Sequence, residues 1–253
     1  MNKKKLALMI HLLVFVTITC YSLDKKEQDN QYKIHRIKEF PLEYIERNNS
    51  FKKNLLTIRP EKNWVLNFTN EIYLESKISG EKIDNNGMPY LISTLYLVFN
   101  GNRVIVDSEV YSFGRVSWNT NGDRFIYMRI EVPPADYSIG DVYLVSIDYQ
   151  SNKVEKRLIV KNIGSSDFRW ALYSNLVAFA DFEAVYVLDA DSGKYTIIRG
   201  EWAEGLQSYE KGTGYPRLCN SFIWLNSDKN LYFSYFPDLT FREEQECYMI
   251  EFL

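Results

Sequence analysis

Four of the chain's five tryptophans stand at Trp64, Trp118, Trp170 and Trp224, separated by 54, 52 and 54 residues. Nine residues after each comes an aromatic: Tyr73, Tyr127, Phe179 or Phe233. Later in each interval a tyrosine precedes two apolar residues, as Tyr96-Leu97-Val98, Tyr143-Leu144-Val145, Tyr186-Val187-Leu188 and Tyr248-Met249-Ile250. A chain that repeats itself at this spacing is made of small units that bury their faces only against copies of themselves. A period of roughly 40–55 residues with several strands per unit is that of β-propeller blades.

The third unit shows the internal plan most clearly. Trp170 to Phe179 and Ala184 to Arg199 are β-branched and aromatic runs broken by turn residues, and the second bends as a hairpin at Asp191, Ser192 and Gly193. Asn121-Gly122 and Asn226-Ser227-Asp228 mark the equivalent first turn in units two and four. The expected fold is all-β: a small propeller of four antiparallel four-stranded blades, with a fifth if residues 39–63 form a part-blade rather than a connection carrying a short helix. Unit four stops at Leu253, directly after its third strand. Residues 31–38 (Gln-Tyr-Lys-Ile-His-Arg-Ile-Lys) alternate as a strand and are placed to pair with Tyr248 to Phe252 and complete that blade.

The domain plan is a signal segment over 1–20, a linker over 21–30 and a propeller over 31–253. Lys3-Lys4-Lys5 and the apolar run Leu6 to Ile18 have the form of an export signal, and the run is shorter than the roughly 20 residues of a membrane span. Cys20 stands where bacterial lipoprotein signals place the acylated cysteine, although Thr17-Ile18-Thr19 departs from their usual pattern. The expectation is a chain anchored by lipid in the bacterial cell envelope, periplasmic or on the outer surface.

Trp118-Asn-Thr-Asn-Gly122-Asp-Arg-Phe-Ile-Tyr127 followed by Asp141-Val-Tyr-Leu-Val145 resembles the repeat of TolB-type, WD-repeat-like propellers. The resemblance covers roughly residues 64–253 and implies a fold. No unit carries that family's turn proline, and only unit two keeps its Asn-Gly.

Composition narrows function by exclusion. With 19 Tyr, 15 Phe, 5 Trp and a net charge of -3, the chain can build a large β core and offers no basic stripe for nucleic acid. His35 is the sole histidine outside the signal, and no nucleophile elbow, phosphate-binding glycine loop or zinc-ligand cluster is present. Asp189-x-Asp191-x-Gly193 lacks the further oxygen ligands of a calcium loop and reads as a hairpin turn. No metal, cofactor or catalytic residue is therefore assigned. Cys219 and Cys247 open the first and third strands of one blade, about 10 Å apart, which is wide for a disulfide.

Two functions follow. The first is a non-enzymatic scaffold binding an envelope protein, peptide or glycan. The second is a glycan-active propeller enzyme using paired carboxylates, for which Glu75, Asp107, Asp181 and Glu201 are the candidates. The working face for binding is the one from which strand two–three and blade-to-blade connections emerge, because residues 75–93, 130–140, 200–219 and 235–246 all lengthen it. Tyr90, Tyr137, Trp202, Tyr209, Tyr215 and Phe236 are the candidate binding residues there, with docking centred near Trp202 and Tyr209.

Overall fold

The computed structural model describes residues 32–47, 62–131, 133, 139–164, 168–181, 184–200, 219–235 and 246–253. The order is β1 (Tyr32–Ile37), a short helix α1 at 42–47, then blade one from β2 (Trp64–Asn67), β3 (Tyr73–Ile83), β4 (Pro89–Phe99) and β5 (Asn102–Val110). Blade two is β6 (Val116–Trp118), β7 (Arg124–Arg129), β8 (Gly140–Asp148) and β9 (Lys153–Ile163). Blade three is β10 (Arg169–Trp170), β11 (Leu176–Ala180), β12 (Val185–Asp189) and β13 (Lys194–Ile198). Blade four is β14 (Cys219–Leu225), β15 (Asn230–Tyr235) and β16 (Glu246–Phe252), completed by β1.

These are four antiparallel four-stranded sheets, and the chain is a small β-propeller. The N-terminal strand closes the last blade as its sequence led us to expect. Tyr32 lies opposite Phe252 and Ile37 opposite Cys247, so β1 covers an edge of β16 that would otherwise present unpaired N–H and C=O groups. The uncertainty over residues 39–63 resolves, within the described part, to a connection with a helix; residues 48–61 lie outside it.

The blades cohere because their middle strands are apolar on both sides. Leu74, Leu95, Leu97 and Phe99 of blade one meet Phe125, Tyr127 and Val145 of blade two. Ile126, Met128 and Leu144, on the opposite side of blade two, meet Val177, Phe179 and Leu188 of blade three. Ala178 and Ala180 on the next face of blade three leave room for Phe233 and Tyr248 of blade four, small against large.

Both repeat signatures have a structural meaning. The aromatic after each tryptophan and the tyrosine of the later triplet are direct cross-strand neighbours in blades two, three and four. They stack as Tyr127 on Tyr143, Phe179 on Tyr186 and Phe233 on Tyr248, with centroids 5.6, 5.1 and 5.6 Å apart. Two of the tryptophans stitch blades together. Trp170 Nε1 donates to the Ser117 carbonyl and Trp224 Nε1 to the Arg169 carbonyl, each at 3.0 Å and each to the residue just before the preceding blade's tryptophan.

The two outer faces of the series differ. On blade four, Ile223, Leu225 and Tyr232 are covered by Phe40 and Tyr44. Helix α1 runs alongside β14, with Tyr44 Oη donating to the Ser221 carbonyl at 2.8 Å and Arg47 Nη1 to the Trp224 carbonyl at 3.0 Å. On blade one the register is slipped, so that Tyr73 faces Val98 and Glu75 faces Tyr96. A two-residue slip keeps the side chains on the same face but separates the ring pair. That face presents Val65 at 48% and Ile105 at 62% exposure beside an ionic group in which Glu75 contacts Lys77 at 2.8 Å and Arg103 at 2.9 Å.

Candidate functional site

Of the sequence-derived binding residues, Tyr90 is described. Tyr137, Trp202, Tyr209, Tyr215 and Phe236 lie outside the described residues, as do Cys20 and Glu201. Tyr90 does not sit in an irregular loop. Residues 75–93 are mostly strand, because β3 and β4 continue as a long hairpin to a tight turn at 84–88. Asp84 Oδ1 accepts from the Asn86 and Met88 amides, both at 2.8 Å, and Gly87 supplies the left-handed φ of 81°. Tyr90 packs edge-on to Tyr111 at 6.0 Å, and Lys82 reaches Glu109 at 3.0 Å, tying the hairpin to the end of β5. Its tip exposes Ile83 and Met88.

The three described candidate carboxylates are held in three separate settings. Glu75 is the centre of the ionic group on the outer face of blade one. Asp107 is buried between blades one and two, where a β-bulge in β5 turns both Val106 and Asp107 inward. Its Oδ2 accepts from Tyr127 Oη at 2.8 Å and lies 3.3 Å from Arg129 Nε and 3.2 Å from Lys156 Nζ. Burial, then the neighbouring Asp107, pushes the Tyr127 phenol well above its ordinary value. Arg129 is raised too: burial opposes its charge, and Asp107 with Glu131 outweighs that. Asp181 caps the Ala184 amide at 2.7 Å and accepts from Tyr186 Oη. Each carboxylate has a structural task, and no two of them face one another across a cleft as glycoside hydrolysis requires.

The Asp189–Gly193 loop is a capped turn. Asp189 accepts from the Asp191 amide and the Ser192 hydroxyl, while Asp191 pairs with Arg124 of blade two at 2.6 Å. Among the described residues no group of three or more His, Cys, Asp or Glu is arranged to hold a metal. Cys219 and Cys247 are free thiols on β14 and β16 with β15 between them, the spacing that their strand positions predicted.

Sequence reasoning missed a cavity of about 240 Å³ at the opposite, short-turn end. Glu43 and Arg47 of α1, Tyr173 from the first turn of blade three, and Trp224 to Asp228 at the first turn of blade four line it. Asn226, Ser227 and Asp228 all adopt left-handed φ, at 52°, 51° and 65°. Such a run of non-glycine residues is strained and persists only where surroundings hold it. Here the buried Asp228 carboxylate does so, accepting from the Leu172 amide at 3.0 Å, the Tyr173 amide at 2.6 Å and the Ser174 hydroxyl at 3.1 Å. The only signal in the sequence was Asn-Ser-Asp at the expected turn; nothing there placed α1 beside it.

Scanned against protein-family models, the sequence matches none, and no curated protein matches it. Solved structures with some likeness include an ACO/RPE65 chimera, at TM-score 0.38 and 11% identity over 76% of this chain and 50% of that one. TolB from Acinetobacter baumannii is another, at TM-score 0.34 and 12% identity over 76% of this chain and 52% of that one. The chain thus spans about half the length of each. The propeller assignment rests on the topology and shared cores of the four blades themselves.

Proposed function

We propose that the chain is a non-enzymatic envelope protein, exported and lipid-anchored through Cys20, whose propeller is a rigid scaffold for binding an envelope partner at its long-connection end. The observation that carries this reading is the β3–β4 hairpin, whose strands hold Ile83 and Met88 out in solvent at 70% and 64% exposure while Tyr90 and Lys82 fasten its root. Preorganised apolar side chains at the end of a stiff element are what a docking surface needs, because little ordering entropy is lost on contact. Tyr137, Trp202, Tyr209, Tyr215 and Phe236 belong to the same proposed surface through their connections.

The test is affinity capture of envelope fractions by the purified protein. Ile83→Asp with Met88→Asp, and separately Trp202→Ala with Tyr209→Ala, should each weaken capture about tenfold, the scale of a lost interface anchor. Asn152→Arg, at a left-handed turn on the opposite end, should leave it unchanged. The reverse pattern assigns binding to the short-turn end. Cleavage of an envelope glycan by the purified protein would instead establish an enzyme.

A further inference from the structure

We propose that the cavity between α1 and the first turn of blade four is a second, independent binding site that takes one neutral pyranose ring. It goes beyond the docking surface, which lies at the other end of the blades. Its walls are stiff: Asp228 locks the turns of blades three and four together, and Arg47 bonds α1 to the Trp224 carbonyl at 3.0 Å. Its charges cancel. Glu43 and Arg47 lie 2.6 Å apart as an acid–base pair, and the Asp228 carboxylate is saturated by two amides and a hydroxyl. An anionic ligand would face two carboxylates, and a cation would have to displace Arg47 from Glu43.

A ring of hydroxyls suits both members of the pair. The Glu43 carboxylate accepts, and the guanidinium, which has five N–H groups, retains donors beyond those given to Glu43 and Trp224. Tyr173, 75% exposed at the rim, supplies the flat aromatic surface on which the C–H face of a sugar rests. The volume falls below the roughly 300–1,000 Å³ of drug-sized pockets, which matches a single ring and excludes an extended peptide.

Titration of the purified protein with glucose and with N-acetylglucosamine, followed by backbone amide NMR shifts, tests the site. Saturable shifts at residues 172–174 and 226–228 are expected, with a dissociation constant of about 1 mM, as few-atom ligands allow. Tyr173→Ala should weaken binding about tenfold, the scale of one lost aromatic contact, and Glu43→Gln should weaken it without altering the fold. Trp202→Ala with Tyr209→Ala should leave sugar binding unchanged, which separates this site from the docking surface. The proposal fails if neither sugar saturates, if Tyr173→Ala binds as well as wild type, or if inorganic phosphate or glycylglycine shifts the same amides as strongly.

Discussion

Asp107 and the buried phenols dominate at the scale of single residues. Asp107 lies against both Arg129 and Lys156, so Asp107→Ala leaves Lys156 and the Tyr127 hydroxyl without this acceptor and Arg129 with Glu131 alone. Breaking a buried pair costs about 3–5 kcal/mol, and the partial exposure of both cations puts this one at the lower end, about 3 kcal/mol by urea unfolding. The Tyr149 phenol is pushed up to about 12, by burial first and by Asp123 second, and burial also raises Tyr44, Tyr127 and Tyr186. An unfolded phenol ionises near pH 10, so above that the unfolded chain has released protons the folded one still holds. The contribution of Tyr149 is therefore complete below about pH 10 and is lost as pH rises toward about 12. Stability measured across that range should fall, and Tyr149→Phe should shallow the slope. Cys219 is almost fully buried and its thiol is raised by that burial, so a thiol reagent should label it only in denaturant. The sequence showed Asp107 as a carboxylate near a strand end; it did not show the bulge that turns it inward, because a bulge depends on pairing register and leaves no composition signal.

Among elements, the blade is the unit, and its tryptophan carries a readable energetic difference. Trp170 and Trp224 each donate to a neighbouring blade, whereas Trp118 Nε1 is buried without a hydrogen-bond partner. Replacement by phenylalanine removes the same volume in all three cases, but only at 170 and 224 does it remove an inter-blade hydrogen bond. Trp170→Phe and Trp224→Phe should each cost about 0.5–1.5 kcal/mol more than Trp118→Phe in matched urea melts. The period that made the blades legible is thus the period of these stitches and of the stacked aromatic pairs. Blade one kept the sequence pattern while losing the stack, since its Tyr73–Tyr96 pair is offset in register. Its outer face meets solvent, and there Glu75, Lys77 and Arg103 take the place of a neighbouring blade. Helix α1 was the least legible element: six residues carry too little periodicity to declare a helix, and its place on blade four is set by contacts far away in sequence.

For the molecule as a whole, closure of blade four by β1 was legible because an unfinished blade demands a strand and the chain held one spare alternating segment. Removing residues 32–37 should expose the β16 edge and the partly buried Tyr32 and Ile34 contacts. Lowered solubility and a lower melting temperature are expected, with recovery on adding a peptide of residues 31–38. The same pairing also sets how the fold answers to mechanical load. Tyr32 and Phe252 sit side by side at one end of two antiparallel strands, so a pull that separates these two residues opens the hydrogen bonds one after another, as a zipper, instead of loading all of them together. Under force applied at these points blade four should peel at low tension while blades one to three stay intact, and optical-tweezer traces should show a small early step ahead of the main unfolding event.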